Sequence, residues 1–200
     1  KIKTTEVLVT EEVAKAEKFY RQSLDLGNEG VIIKNTQSLY RPGRYVKGWC
    51  KLKPVLEPLD VVIVSAVWGE GKRSEWLASF TVAVKSKEKF VEIGKVGTGV
   101  KEKVEKGVSF KELTKLLKPL IISKKGREVK VKPQIVVEVA YEELQKSPTY
   151  SSGFAMRFPR ILRLRTSEKA VQDINALSDV ERIYVAQKGK VVKQKFKLFI

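Results

Sequence analysis

Two prolines within five residues, Pro54 and Pro58, divide this sequence into parts with different patterns. Proline fixes φ and lacks an amide donor, so it interrupts both helices and central strands. The part before the prolines contains a helical stretch and two short charged strands. The part after them contains Val- and Ile-rich strands separated by Gly-rich turns, which is typical of a small β barrel. The sequence therefore predicts one domain over residues 1–53, a hinge over 54–58 and a second domain over 59–200.

The first part opens with a predicted strand over Lys3 to Val9, followed by an amphipathic helix. Thr10 is the predicted N-cap, and Glu11 and Glu12 would lie in the first turn, where the helix dipole favours negative charge. Gly27 is the predicted end of the helix, because glycine readily adopts the left-handed conformation found there.

The second part has the strand and helix order of a barrel with one inserted helix. Ser109 and Glu112 form a capping box, which predicts a helix between the third and fourth strands. A helix inserted among about five strands is typical of an OB-fold. The predicted strands are Leu59–Val67, Glu75–Lys85, Phe90–Val96, Arg127–Val131 and Gln134–Ala140.

The end of the second part is rich in arginine. Phe154 to Arg165 is predicted as one strand, with Phe158 among its apolar residues and three arginines on the opposite face. Ser167 is then predicted to cap a helix. A second capping box is predicted at Ser178 and Glu181.

The charge balance predicts a polyanionic partner. The chain has 40 Lys and Arg against 23 Asp and Glu, a net charge of +17 that is spread along its length. Nucleic acid is the first candidate and an acidic membrane the second. The alternative is a lysine-rich solvated surface, as in thermophile proteins.

There is no histidine, and the one cysteine, Cys50, cannot form an internal disulfide, so a zinc site is not expected. Cys50 is predicted to be a small core residue in a reducing cytosol.

Two short runs in the first part place charged residues on neighbouring strands. They are Glu29-Gly30-Val31-Ile32-Ile33-Lys34 and Trp49-Cys50-Lys51-Leu52-Lys53. Alternation predicts that Trp49, Lys51 and Lys53 share one face, which suits phosphate better than an apolar core. Glu29 and Lys34 fall on opposite faces of a regular strand. We therefore expect that this strand twists or that one of the two residues lies at its end.

In this order and at this separation, the two runs resemble motifs IV and V of the nucleotidyltransferase superfamily. That superfamily contains ATP-dependent DNA ligases and mRNA capping enzymes. Arg157-Phe158-Pro159-Arg160 resembles the DNA ligases more specifically. The likeness is to the C-terminal portion of archaeal and eukaryotic ATP-dependent DNA ligases, from about Glu11 to Tyr184. It implies a mainly β fold with helices (α+β): the C-terminal part of a nucleotidyltransferase adenylation domain followed by an OB-fold β-barrel.

The resemblance also implies residue roles. Glu29 matches the motif IV carboxylate, which lies near the catalytic Mg²⁺ in the family, and oxygen ligands suit that ion. The cations that match residues on the phosphates of ATP are Lys34, Lys51, Lys53 and, before the tryptophan, Arg44. For each of these residues the alternative is a solvated surface side chain.

The strand from Arg157 looks like the start of motif VI, whose cations meet the leaving pyrophosphate in the family. The resemblance assigns that role to Arg163, Arg165 and Lys169, and DNA binding to Arg157 and Arg160. The sequence departs from the family at Thr166-Ser167-Glu168, where relatives usually carry two acidic residues before the lysine. Plain contact with the DNA backbone stays open as the alternative for these arginines.

The nucleophile of the family is the lysine of a Lys-x-Asp-Gly motif, and this chain contains no Asp-Gly dipeptide. No catalytic residue is therefore predicted here, and the chain alone should be inactive as part of a DNA ligase. The alternatives are a stand-alone OB-fold module that binds nucleic acid, or a capping-enzyme or RNA-ligase type of nucleotidyltransferase.

The resemblance implies ATP and Mg²⁺ as cofactors and nicked double-stranded DNA as the partner. A sliding clamp would bind a region outside this chain, because Gln194-Lys195-Phe196 and the residues after it fit a clamp peptide poorly. Residues 188–200 are predicted to be an added edge strand or a disordered tail. No apolar run has the ~20 residues of a membrane span. The expected location is the cytosol or nucleoid of an archaeon, and the Lys and Glu content is typical of a thermophile.

Overall fold

The computed structural model describes residues 4–43, 48–102 and 108–189. They form two compact units, one within the first 55 residues and one spanning Leu56–Gln187. The described part of the chain is mainly β, with three α-helices, as the resemblance implied.

The first unit consists of helix α1 (Val13–Asp25) and the antiparallel strands β1 (Val31–Lys34) and β2 (Trp49–Leu52). The predicted end of α1 is confirmed. Gly27 has a φ of 99°, and its N–H donates to the Leu24 carbonyl at 3.0 Å. The Ser23 hydroxyl then donates to the Gly30 carbonyl at 3.0 Å. This bond ties the last turn of α1 to the residues that lead into β1.

The start of the first unit differs from the prediction. The predicted strand is wrong in its described part, because residues 4–10 have no regular structure. Helix α1 begins at Val13, after Glu12, so the two glutamates lie ahead of the first turn. Thr10 is not the N-cap. Its Oγ1 accepts from the Glu12 N–H at 3.0 Å and closes a local turn before the helix.

The described part of the second unit has nine strands. They are β3 (Leu59–Trp68), β4 (Leu77–Ser86), β5 (Lys89–Val96), β6 (Ile121–Lys125), β7 (Glu128–Val131), β8 (Val136–Ala140), β9 (Glu143–Lys146), β10 (Phe154–Arg157) and β11 (Arg160–Leu164). Seven of them form the barrel sheet, and two, β9 and β10, form a separate antiparallel ladder. Strand β3 is central: it pairs with β4 on one edge and with β7 and β8 on the other, all antiparallel. The Ile161 N–H donates to the Thr98 carbonyl at 3.0 Å. Since Thr98 follows β5 and β11 pairs with β8, this bond closes the sheet.

Helix α2 (Phe110–Leu117) packs its buried side against the barrel core, and the N-cap predicted at Ser109 is confirmed. The Ser109 hydroxyl accepts from the Glu112 N–H at 3.1 Å. The apolar side of α2 packs on the inward residues of β3, β4 and β5, which occupy alternate positions. The main core contains Leu59, Val61, Ile63, Phe80, Val82, Ile93, Phe110, Leu113 and Leu117. All five predicted barrel strands are present, whereas β6 and β9 were missed.

The arginine-rich strand is two strands, not one. The chain breaks between β10 and β11, where Phe158 has a φ of 49° and Pro159 follows it. A positive φ is uncommon for a bulky residue and is incompatible with a continuous strand. The predicted alternation across this point is therefore wrong, and Phe158 is exposed rather than part of an apolar face.

The helix predicted after Ser167 is also wrong in position. Residues Val171–Asp173 form a single 3₁₀ turn, and helix α3 spans Leu177–Gly189. Its start is not capped by a box at Ser178. The Asp179 carboxylate instead accepts from the Ala176 N–H at 2.9 Å. Apart from the last residues of α3, the predicted tail over 188–200 lies outside the described residues.

Candidate functional site

Glu29 lies just ahead of β1, and the backbone turns between the two. Gly30 has a φ of +147°, and a Cβ at this position would lie 2.0 Å from the Leu52 carbonyl oxygen. Only glycine tolerates so close a backbone approach. The break at Gly30 removes Glu29 from the alternation of β1. This resolves the expected conflict between Glu29 and Lys34, because Glu29 lies at the strand end.

The Glu29 carboxylate contacts both lysines of the second run. Lys51 Nζ donates to Glu29 Oε2 at 3.1 Å, and Lys53 Nζ lies 3.3 Å from the same oxygen. The hydrogen bond from Lys51 has the largest effect, followed by that from Lys53 and by the charges of both lysines. Together they hold the pKa of Glu29 below its usual value of 4.5. Lys51 and Lys53 therefore lie on one face with a carboxylate that stays ionised above that pH.

Lys34 joins the same face from β1. Strand pairing sets Lys34 opposite Trp49 and Ile32 opposite Lys51, so these four side chains project to one side. The Lys34 ammonium lies over the Trp49 ring, 4.1 Å from its centroid, which is a cation–π contact. A shallow open hollow at this end of the strand pair is lined by Ile33, Lys34, Asn35, Gly48, Trp49 and Cys50.

Arg44 lies outside the described residues. Cys50 is exposed, so its prediction as a core residue is wrong. Its face of the strand pair carries no buried side chain, since Tyr20 alone is buried in the described part of the first unit.

The described residues contain no group of three or more Asp, Glu, Cys or His side chains arranged to hold a metal ion. Glu29 is a single carboxylate, and its neighbours are ammonium groups. Mg²⁺ commonly takes one or two protein carboxylates and completes its shell with waters and phosphate oxygens. This face therefore fits Mg²⁺ only when the ion arrives with phosphate.

The three cations assigned to pyrophosphate lie together in the second unit, but carboxylates of the barrel surround them. Lys169 Nζ donates to Asp60 Oδ2 at 2.6 Å. Arg163 Nε donates to Glu138 Oε2 at 2.7 Å, which raises the pKa of the Arg163 guanidinium. Arg165 Nε lies 3.2 Å from Glu168 Oε2, and Arg165 Nη1 lies 3.5 Å from Glu138 Oε1. Asp60 and Glu138 were not predicted from the sequence.

Arg157 and Arg160 flank the exposed Phe158. Phe158 is 64% exposed, and the Arg157 guanidinium lies 5.2 Å from its ring centroid. Arg157 also pairs with Glu143 across the β9–β10 ladder at 3.1 Å. Phe158 was not among the site residues predicted from the sequence. Pro159 was the available signal, because proline within a strand pattern indicates a break.

The described helices are too short and too polar to span a lipid bilayer.

The fold defines a class of protein. A helix and a strand pair followed in the sequence by an OB-fold barrel is the fold of the C-terminal part of a nucleotidyltransferase. The solved ligase domain from M. tuberculosis LigD has this fold, with a TM-score of 0.51 and 27% identity over 80% of this chain and 51% of that chain.

Two family models match in the expected order. Residues 1–53 match the ATP dependent DNA ligase domain, and residues 73–168 match the ATP dependent DNA ligase C terminal region. The chain belongs to the ATP-dependent DNA ligase family, as the resemblance indicated.

Curated relatives agree with this assignment. The DNA ligase of Nanoarchaeum equitans is 51% identical over 191 residues, which are 94% of this chain and 34% of the relative. The DNA ligase of Methanocaldococcus jannaschii is 47% identical over 184 residues, 92% of this chain and 31% of the relative. The chain thus spans about a third of the length of these relatives.

Proposed function

We propose that this chain is the phosphate-binding segment of an ATP-dependent DNA ligase that seals nicks in duplex DNA. The parent reaction has three transfers. A lysine nucleophile outside this chain attacks the α-phosphorus of ATP and releases pyrophosphate, the AMP passes to the 5′-phosphate at the nick, and the 3′-hydroxyl displaces AMP. In each transfer, negative charge develops on phosphate oxygens that fixed cations can stabilise.

The observation that carries this proposal is the convergence of Glu29, Lys51 and Lys53 on one face, with Lys34 beside them. In this role Lys51 and Lys53 bind oxygens of the α-phosphate, and the cation–π contact with Trp49 fixes the approach of Lys34. Glu29 would hold Mg²⁺, which supplies charge neutralisation at the phosphates when it is bound.

We further propose that residues 1–53 are the end of an adenylation domain, 54–58 a hinge and 59–200 an OB-fold domain. Arg163, Arg165 and Lys169 of the OB-fold domain bind the leaving pyrophosphate. The protein would work in the archaeal cytosol at the nucleoid, and a sliding clamp would bind outside this chain.

The test is AMP transfer. The chain is joined to the preceding part of an archaeal ligase that carries Lys-x-Asp-Gly, and the product is incubated with labelled ATP and Mg²⁺. We expect covalent AMP on the joined protein and none on either part alone. Failure of the joined, folded protein to take up AMP would contradict the proposal.

A second activity, DNA binding by the barrel alone, is supported by the exposed Phe158 between Arg157 and Arg160. Arginines bind backbone phosphates, and an exposed aromatic ring can contact bases or sugars. We expect this chain to bind DNA with a steep salt dependence, because bound cations release counterions. A preference for nicked duplex over intact duplex would favour the ligase; equal binding of all forms would favour a general binding module.

A further inference from the structure

Three neighbouring barrel strands carry a row of charges on one face. Asp60 of β3 lies directly opposite Glu138 of β8, and Glu138 lies opposite Arg163 of β11. Residues directly opposite each other project to the same side of a sheet, and like charges in such a pair are unfavourable. Asp60 and Glu138 are such a pair, and both carboxylates are largely buried, with side chains 12% and 16% exposed. We call them the acidic pair.

The acidic pair is covered by residues 165–176, which we call the strap. The strap crosses the sheet face that points away from the main core. The Arg165 N–H donates to the Val136 carbonyl at 2.8 Å, and Thr166 Oγ1 accepts from the Val136 N–H at 3.0 Å. At the other end, Asn175 Oδ1 accepts from the Asp60 N–H at 2.8 Å. The Asn175 N–H donates back to the Asp60 carbonyl at 3.0 Å.

The backbone bonds and a small apolar cluster anchor both ends of the strap without help from the acidic side chains. The cluster consists of Val62, Ala83, Val136 and Ile174. The acidic side chains are directed at the strap cations instead. Lys169 Nζ lies 2.6 Å from Asp60 Oδ2, and Arg165 reaches Glu138 at 3.5 Å and Asp60 at 3.8 Å.

This arrangement is not the one that stability alone would select. Asp60 Oδ1 and Arg165 Nε are both buried and form no hydrogen bond among the described residues. They lie 3.8 Å apart as an ion pair, and Arg165 Nε lies 3.2 Å from Glu168 Oε2. A buried ion pair of this kind adds little net stability, and apolar residues could cover the sheet as well. The burial of these charges is explained if Asp60 and Glu138 orient Lys169 and Arg165. The N–H groups of the two cations that are not bonded to the carboxylates could then bind phosphate. Lys169 has three donors and uses one on Asp60, and its side chain is still 29% exposed.

We propose that Asp60, together with Glu138, is a positioning residue that holds Lys169 and Arg165 in the orientation in which they bind phosphate. This inference rests on the proposed function of the strap cations. At the departure in Thr166-Ser167-Glu168, Thr166 anchors the strap through its hydroxyl. Glu168 and Glu138 both contact Arg163 and Arg165.

The test titrates this chain with inorganic pyrophosphate at fixed salt, by calorimetry. Lys169→Gln should weaken binding by about tenfold, as expected for the loss of one charge-assisted hydrogen bond. Asp60→Asn should weaken binding by a similar factor, although it raises the net charge by one. Asp60→Glu should restore part of the affinity, because it keeps the carboxylate.

The matched control is Glu102→Gln. It also removes a carboxylate from an arginine, Arg73, and adds the same charge, but far from the strap in sequence and outside the acidic pair. Its affinity for pyrophosphate should equal that of the unchanged chain. If Asp60→Asn does not fold, Glu138→Gln tests the other half of the pair with the same expected sign.

The outcomes distinguish the positioning role of the acidic pair from phosphate binding by the strap cations. If Lys169→Gln weakens binding but Asp60→Asn and Glu138→Gln bind as tightly as Glu102→Gln or more tightly, the carboxylates only compete with phosphate and the positioning role is overturned. If Lys169→Gln binds pyrophosphate as tightly as Lys111→Gln, a substitution of an exposed lysine, then the strap cations do not bind phosphate. That result contradicts their proposed function and, with it, the positioning role.

Discussion

Lys51 Nζ donates to Glu29 Oε2 at 3.1 Å across the β1–β2 strand pair, although 22 residues separate the two in the sequence. Lys53 contacts the same oxygen at 3.3 Å. The Glu29 carboxylate thus contacts the ammonium groups of both Lys51 and Lys53 on an exposed face. In the proposed function, phosphate and a metal ion would replace these exposed contacts without unfolding the strand pair.

The first prediction concerns the protonation of Glu29. Its pKa is lowered below 4.5 by Lys51 first and Lys53 second. A lowered carboxyl pKa means that the ion pairs are fully present above pH 4.5 and are lost as the pH falls through the lower, folded value. NMR titration of the Glu29 side chain should give a midpoint below 4.5. Lys51→Gln should move that midpoint up, and Lys124→Gln should not.

The second prediction concerns Gly30. An alanine there would combine an unfavourable φ with a Cβ 2.0 Å from the Leu52 carbonyl oxygen. We expect Gly30→Ala to separate the start of β1 from β2, at a cost of about 1–3 kcal/mol. Faster amide exchange at β1 and β2, with an unchanged barrel, would report this. Gly43→Ala is the control for the contact with Leu52, because Gly43 also has a positive φ, +115°, but nothing lies within 4 Å of the Cβ that the substitution adds. Equal exchange in both variants would contradict the prediction.

The third prediction separates the arginines of the barrel from its exposed ring. Arg160→Ala should weaken DNA binding and reduce the slope of log K against log salt by about one, because one phosphate contact is lost. Phe158→Ala should weaken binding by about 1–3 kcal/mol with the slope unchanged, because stacking releases no counterions. Phe90→Ala, which removes another partly exposed ring, is the control. A changed slope in Phe158→Ala would show that the ring acts only by placing Arg157.

Much of this fold could be predicted from sequence, because apolar runs and capping residues are local signals. Strand β3 follows from a run rich in Val and Ile, and helix α2 follows from the Ser109–Glu112 box. The missed features depend on tertiary contacts or on unusual backbone. Phe158 adopts a positive φ that no pattern of bulky residues indicates. The start of α3 is set by Asp179, whose carboxylate reaches back to Ala176.

The candidate site also has one part that could be predicted from sequence and one part that could not. The face with Lys51 and Lys53 was predictable from the period of a strand, and Gly30 was the local sign that Glu29 leaves that period. The acidic pair was not predictable, since Asp60 meets Lys169 across 109 residues of sequence. The pairing of β3 with β8 and of β8 with β11, together with the bonds that hold the strap on the sheet, brings those two residues together.

The most direct test of the account is the effect of Lys51→Ala on AMP transfer in the chain joined to a Lys-x-Asp-Gly segment. Removing one fixed cation from the reacting phosphate should slow single-turnover AMP transfer by about 10²–10³-fold. The affinity for nicked DNA should change little. Lys124→Ala, on an exposed barrel strand, should leave AMP transfer unchanged. If the two variants lose AMP transfer equally, or if Lys51→Ala loses only DNA affinity, then the lysines of β2 contribute general positive charge and the account is contradicted.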